Sequence, residues 1–94
     1  MAGITVTETT SGGGGFEYEV VVREGGSQTS HKVRLGKEYY ERLSEGRTPP
    51  DELVKKSFEF LLENEPKEAI LGSFDLSIIE GYFPEYPGVI KKRF

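Results

Sequence analysis

The chain has 94 residues, of which 35% are hydrophobic and 30% are charged, and its formal net charge is −4 at pH 7. This length suits one domain, and the hydrophobic content exceeds that of typical disordered chains. The lack of cysteine excludes a disulfide scaffold, a thiolate nucleophile and a thiolate-bound metal. Because there is neither a secretory signal pattern nor an apolar run of membrane length, we predict a cytoplasmic protein with no membrane partner.

The first segments indicate β-structure. Residues 3–9 alternate apolar side chains with threonine, as strands do. The glycine-rich residues 11–15 predict a flexible loop, because glycine loses much conformational entropy on ordering. This run leads into a strand and lacks the Lys-Ser or Lys-Thr pair of a phosphate-binding loop, so we interpret it as a connector.

A β-hairpin over residues 16–35 is predicted by two independent patterns. Segments 16–24 and 29–35 each alternate apolar and polar residues, and Gly25-Gly26 between them suits a two-residue turn. Pairing Phe16 with Leu35 places the apolar side chains on one face. The same register sets opposite charges together on the other face, in the pairs Glu17–Arg34 and Glu19–Lys32. A slip of one residue would destroy both patterns.

The second half predicts short helices. Residues 37–45 and 50–63 have helical apolar spacing, and Pro50 suits a first helical turn. In the second helix the apolar side chains span an arc of roughly 200° at the helical period; they are Leu53, Val54, Phe58, Phe60, Leu61 and Leu62. An arc this wide predicts cover on two sides, by the sheet and by either the C-terminal segment or a second subunit.

The remaining residues complete the predicted fold. Residues 66–71 can form one or two helical turns, and Asp75 suits the cap of a last short helix. The proline-containing segment 82–94 is expected to be extended, with residues 91–94 as a disordered basic tail. The fold class is therefore α+β: one domain over residues 1–90, in which a three-stranded antiparallel β-meander precedes two to four short helices packed on one face (β-β-β-α-α-α).

No pattern of catalytic or metal-binding residues stands out. His31, the single histidine, falls on the buried face of the hairpin, which favours a structural role. The acids Glu59, Glu63, Glu65 and Glu68 are interpreted as a solvated surface with neighbouring lysines. We predict no enzymatic activity, no cofactor, no metal and no small-molecule ligand.

The aromatic and proline-rich residues 82–87 are the best functional candidate. Tyr82, Phe83 and Tyr86 are predicted as possible partner-binding residues, because tyrosine and phenylalanine are enriched in interface cores. The alternative is that these rings fold back over the exposed side of the 50–63 helix.

The stretch SFEFLLENEPKEAILGSFDLSIIEGYFPEYP resembles a group of small, uncharacterised bacterial proteins that pair a strand-rich first half with this helix and an FDLS-I-YFPEY ending. The resemblance covers about residues 29–87 and implies a compact bacterial domain without a known activity or site. We predict a small protein-interaction or accessory module whose partner is a protein or a second copy of the chain. The alternative is a nucleic-acid-associated regulator using the hairpin and the basic residues 91–93, although the net negative charge makes nucleic acid an unlikely partner.

Overall fold

In the computed structural model, which describes residues 3–12 and 14–94, four strands form one mixed sheet beside short helices. The strands are β1 (Gly3–Gly12), β2 (Gly15–Glu24), β3 (Ser27–Gly36) and β4 (Ser73–Asp75), and they lie in the order β1-β2-β3-β4. The α+β class is confirmed, and β1 to β3 form the expected antiparallel meander. The three-stranded count is corrected by β4, which pairs parallel with β3. A strand of three residues is too short to show an alternating pattern.

The predicted hairpin register between β2 and β3 is confirmed. Phe16 lies opposite Leu35, and Glu17 lies opposite Arg34. Gly25 and Gly26 form the turn with φ angles of 64° and 80°, which are values that favour glycine. The apolar face is buried, whereas the charged face is open to solvent.

The glycine-rich segment contributes more strand than its composition predicts. Gly12 pairs with Gly15, so β1 and β2 extend into the range predicted as a flexible loop; Gly13 lies outside the described residues. A β-bulge interrupts β1 between Glu8 and Thr10. Gly15 is required by close packing, because a Cβ atom there would lie 2.6 Å from the Leu35 carbonyl oxygen. Gly12 and Gly15 therefore take part in the pairing of β1, β2 and β3 and are not confined to a loop.

Both longer helices agree with prediction to within a residue or two, and the C-terminal part differs. The helices are α1 (Lys37–Ser44), α2 (Pro50–Asn64), α3 (Ile79–Tyr82) and α4 (Tyr86–Lys91), with 3₁₀ turns at Lys67–Ala69 and Leu76–Ile78. The segment expected to be extended thus contains the end of α3 and all of α4. Pro87 is compatible with α4 because it lies in the first turn, where its missing N–H is not needed. No helix among the described residues is long and apolar enough to span a membrane.

Helix α2 is covered on two sides, as its wide apolar arc predicts. Its Phe58 side chain is fully buried and contacts Phe74 of β4, with ring centroids 6.0 Å apart. On the other side, Phe60 packs against Phe83 and Tyr86, with both centroid distances at 5.5 Å. The second cover is therefore the C-terminal segment of the same chain.

The last residues also contact α2. Arg93 donates two hydrogen bonds to the Glu63 carboxylate, at 2.8 and 2.6 Å, and Phe94 is half-buried against the core. This placement differs from the disordered tail expected from residue 91. The basic residues 91–93 are evident in the sequence, but the pairing of Arg93 with Glu63 is not, because Glu63 lies thirty positions earlier.

Candidate functional site

An apolar groove with a volume of about 370 Å³ lies between the end of α2, β4 and α3. Its floor consists of buried core side chains, namely Leu61, Ile70, Phe74 and Ile79. Ala69, Phe83 and Glu65 complete the walls. The floor belongs to the same hydrophobic core that holds the sheet and α2 together, so the groove has a rigid base.

The rim of the groove consists of three apolar side chains that project into solvent. Leu71 is 45% exposed, Ile78 is 39% exposed and Tyr82 is 65% exposed. These are the exposed large hydrophobic side chains of the part of the chain that the structure describes, and all of them line this groove. Scattered exposed apolar residues are ordinary, whereas their convergence on one concave surface makes this groove the candidate site.

Hydrogen bonds fix the loop that carries Leu71. The His31 ring lies 2.7 Å, through Nδ1, from the Leu71 carbonyl oxygen and 2.8 Å, through Nε2, from the Thr29 hydroxyl. Because a carbonyl oxygen can only accept, Nδ1 carries a proton and donates it to Leu71. The Lys32 backbone N–H donates to the Gly72 carbonyl at 2.8 Å. His31 is 2% exposed, so the expected structural role is consistent with its position, and that role is to anchor the rim.

The opposite side of the rim is shaped by Asp75. Its carboxylate accepts hydrogen bonds from the Ser77 backbone N–H at 3.1 Å and from the Ser77 hydroxyl at 2.9 Å. This cap turns the chain from β4 into the 3₁₀ turn that carries Ile78. The capping role of Asp75 is as predicted, although it starts a 3₁₀ turn that continues into α3.

Glu65 is the charged residue of the groove wall, and it differs from three other acids that have ion-pair partners. Glu63 is bound by Arg93, Glu68 by Lys67 and Glu80 by Arg42. The hydrogen bonds from Arg93 and Lys67 lower the pKa values of Glu63 and Glu68. For Glu65, no basic nitrogen lies within 4.0 Å among residues 3–12 and 14–94.

The structure separates the predicted partner-binding residues. Tyr82 lies on the rim and half-buried Phe83 lies in the wall, so these two share one site. Tyr86 is corrected to a core residue: it is fully buried, and its hydroxyl lies 2.6 Å from Ser57 Oγ. Burial raises the pKa of the Tyr86 hydroxyl. Its ring faces α2, where it packs against Phe60 with ring centroids 5.5 Å apart.

Sequence reasoning missed Leu71, Ile78 and Glu65 as site residues. The adjacent pair Ile78-Ile79 was the available signal, because neighbouring helical positions point in different directions and cannot both face the core. Ile79 is 2% exposed and Ile78 is 39% exposed. Leu71 and Glu65 lack such a signal, because their exposure is set by elements distant in sequence.

Neither a metal site nor a relative assigns chemistry to this chain. Among the residues that the structure describes, no three His, Cys, Asp or Glu side chains are grouped so as to hold a metal ion. No protein-family model, curated protein or solved structure matches the chain. The resemblance of residues 29–87 to small bacterial proteins stays a prediction.

Proposed function

We propose that the protein is a small, non-enzymatic interaction module that docks a segment of a protein partner in the apolar groove. The observation that supports this function most directly is that Leu71, Ile78 and Tyr82 converge on one groove while remaining exposed. Contiguous exposed apolar surface is typical of protein-binding sites, and tyrosine is enriched in them.

A protein segment suits the groove better than a small molecule does. The volume of about 370 Å³ lies at the lower end of the range of roughly 300–1,000 Å³ seen for ligand pockets. A molecule held within it would leave the outer side of Tyr82, which is 65% exposed, uncovered. A peptide chain crossing the groove can place an apolar side chain on the floor and cover the rim.

The test is selection of peptide ligands followed by rim substitutions. Random peptides displayed on phage are selected on the immobilised protein, and their dissociation constants are measured by calorimetry. Leu71→Ser and Ile78→Ser are expected to weaken binding about tenfold each, because each removes roughly 1–2 kcal/mol of apolar burial.

The matched control is Val21→Ser, which alters a half-exposed apolar residue on the open face of the sheet, remote from the groove residues. It is expected to bind the same peptides with unchanged affinity. If Val21→Ser and Ile78→Ser behave alike, or if no peptide competes for the groove, the proposed function is wrong.

The nucleic-acid alternative has less support. Of its basic tail, Arg93 is engaged by Glu63, and the exposed face of the hairpin alternates acids with bases. It predicts binding to DNA or RNA that weakens steeply with added salt. A mobility shift measured at low salt tests it.

A further inference from the structure

We infer that the segment docked in the groove is basic as well as apolar, with a lysine or arginine bound by Glu65. This inference rests on the proposed function and names the chemistry of the partner. The basic character of the segment is inferred from the charges at the end of α2, whereas the docking function is inferred from the apolar rim. The inference can therefore fail while the proposed function survives.

The Glu65 carboxylate is distinguished by its place in the groove wall. Glu63, Glu68 and Glu80 each have a basic partner within the chain, and Glu59, which has none among the described residues, is exposed. Glu65 lines the groove, is half-buried and has no such partner among the described residues. A half-buried carboxylate beside an apolar surface gains when a cation arrives with the ligand, because burying it unpaired would cost free energy.

Glu65 lies at the carboxyl end of a helix. Its backbone N–H donates to the Leu61 carbonyl at 2.8 Å, which places it directly after the last turn of α2. Carbonyl groups without helical partners make this end of a helix negative and favourable to cations. The last turn of α2 contains no basic residue of its own, and the neighbouring Arg93 and Lys67 are held by Glu63 and Glu68.

The charge of the whole chain also favours a basic segment at long range. The chain has a formal net charge of −4, which raises the association rate of a positively charged segment. The same charge disfavours an acidic segment. All three features act in the same direction, so the occupant we expect is a short basic and apolar stretch of a partner protein.

The experiment is a double-mutant cycle on a peptide selected with the wild-type protein. Its lysine or arginine is replaced by glutamine, and Glu65→Gln is made in the protein. We expect each single change to weaken binding about fivefold, and the second change to add little, because the two groups form one partly exposed ion pair. Binding should also weaken with added salt.

Glu59→Gln is the matched control, because Glu59 is an exposed acid on the same helix that does not line the groove. It should leave binding unchanged. Thermal unfolding of Glu65→Gln should match that of the wild type, which separates recognition from folding.

The outcomes distinguish the inference from the proposed function. If peptides that depend on Ile78 are selected without a basic residue, or if the cycle shows no coupling, the inference is overturned and the proposed function survives. If selection on Ile78→Ser returns the same peptides as the wild type, both are overturned. If sedimentation instead shows a dimer that Ile78→Ser dissociates, the occupant is a second copy of the chain and the inference is wrong.

Discussion

The buried contact between Ser57 and Tyr86 predicts unequal effects for two small substitutions. Ser57 Oγ donates to the Leu53 carbonyl at 2.7 Å, so it must accept the hydrogen bond from the Tyr86 hydroxyl at 2.6 Å. Ser57→Ala leaves the buried Tyr86 hydroxyl without this acceptor, at a cost of about 1–3 kcal/mol. Alanine recovers part of this, up to about 0.5 kcal/mol, because it favours helix. We therefore expect a net loss of about 0.5–2.5 kcal/mol.

Tyr86→Phe removes the donor and leaves Ser57 bonded to Leu53, so the expected loss is about 0.5–1.5 kcal/mol. The double variant lacks both groups and should be no less stable than Ser57→Ala alone. Urea unfolding followed by circular dichroism measures all three variants. Additive losses would contradict the shared hydrogen bond. A loss of peptide binding by Tyr86→Phe would contradict its assignment to the core.

Further predictions concern the sheet, the groove anchor and alkaline pH. Gly15→Ala should lower the free energy of unfolding by about 1–3 kcal/mol, because its Cβ atom would clash with backbone. In the same urea assay, Gly36→Ala should change this free energy by less than about 0.5 kcal/mol, because the space around Gly36 is open. His31→Ala should lower the free energy of unfolding by about 2–4 kcal/mol and weaken peptide binding. His31→Asn should recover part of the stability and part of the affinity, because its amide can replace the Nδ1 donor to Leu71. Burial, followed by the charges of Glu8 and Asp51, raises the pKa of Tyr18 from 10.0 to about 12. As pH rises, the unfolded chain therefore loses this proton before the folded chain does. The contribution of Tyr18 to the free energy of unfolding should be fully present below pH 10 and be lost as pH rises through about 12. Tyr18→Phe should flatten that fall in unfolding titrations.

The meander could be predicted because its evidence is repeated along the sequence. Ten consecutive residue pairs join β2 to β3, and several of them, such as Phe16–Leu35, Tyr18–Val33 and Glu17–Arg34, support the same register through apolar pattern or charge. Strand β4 could not be predicted, because its three residues pair with β3, from which α1 and α2 separate it in the sequence. Helix α4 differs from the predicted extended segment because Pro87 lies in the first turn, where a proline is compatible with a helix.

The candidate site could be predicted only in part, because exposure depends on residues distant in sequence. Composition identifies Tyr82 as an aromatic residue suited to an interface, and it is exposed. Composition cannot separate it from Tyr86, four positions later, which is fully buried by α2. Which side of each ring is covered depends on packing between elements that lie far apart in the chain, and that information is absent from local sequence.

The position of β4 in the chain has a consequence for when the groove is completed. One wall of the groove follows α2, and the other is formed by β4 and α3, which come after both longer helices in the sequence. A chain that ends before Ser73 would lack two of the three exposed rim side chains, Ile78 and Tyr82. The groove therefore depends on nearly the whole length of the chain.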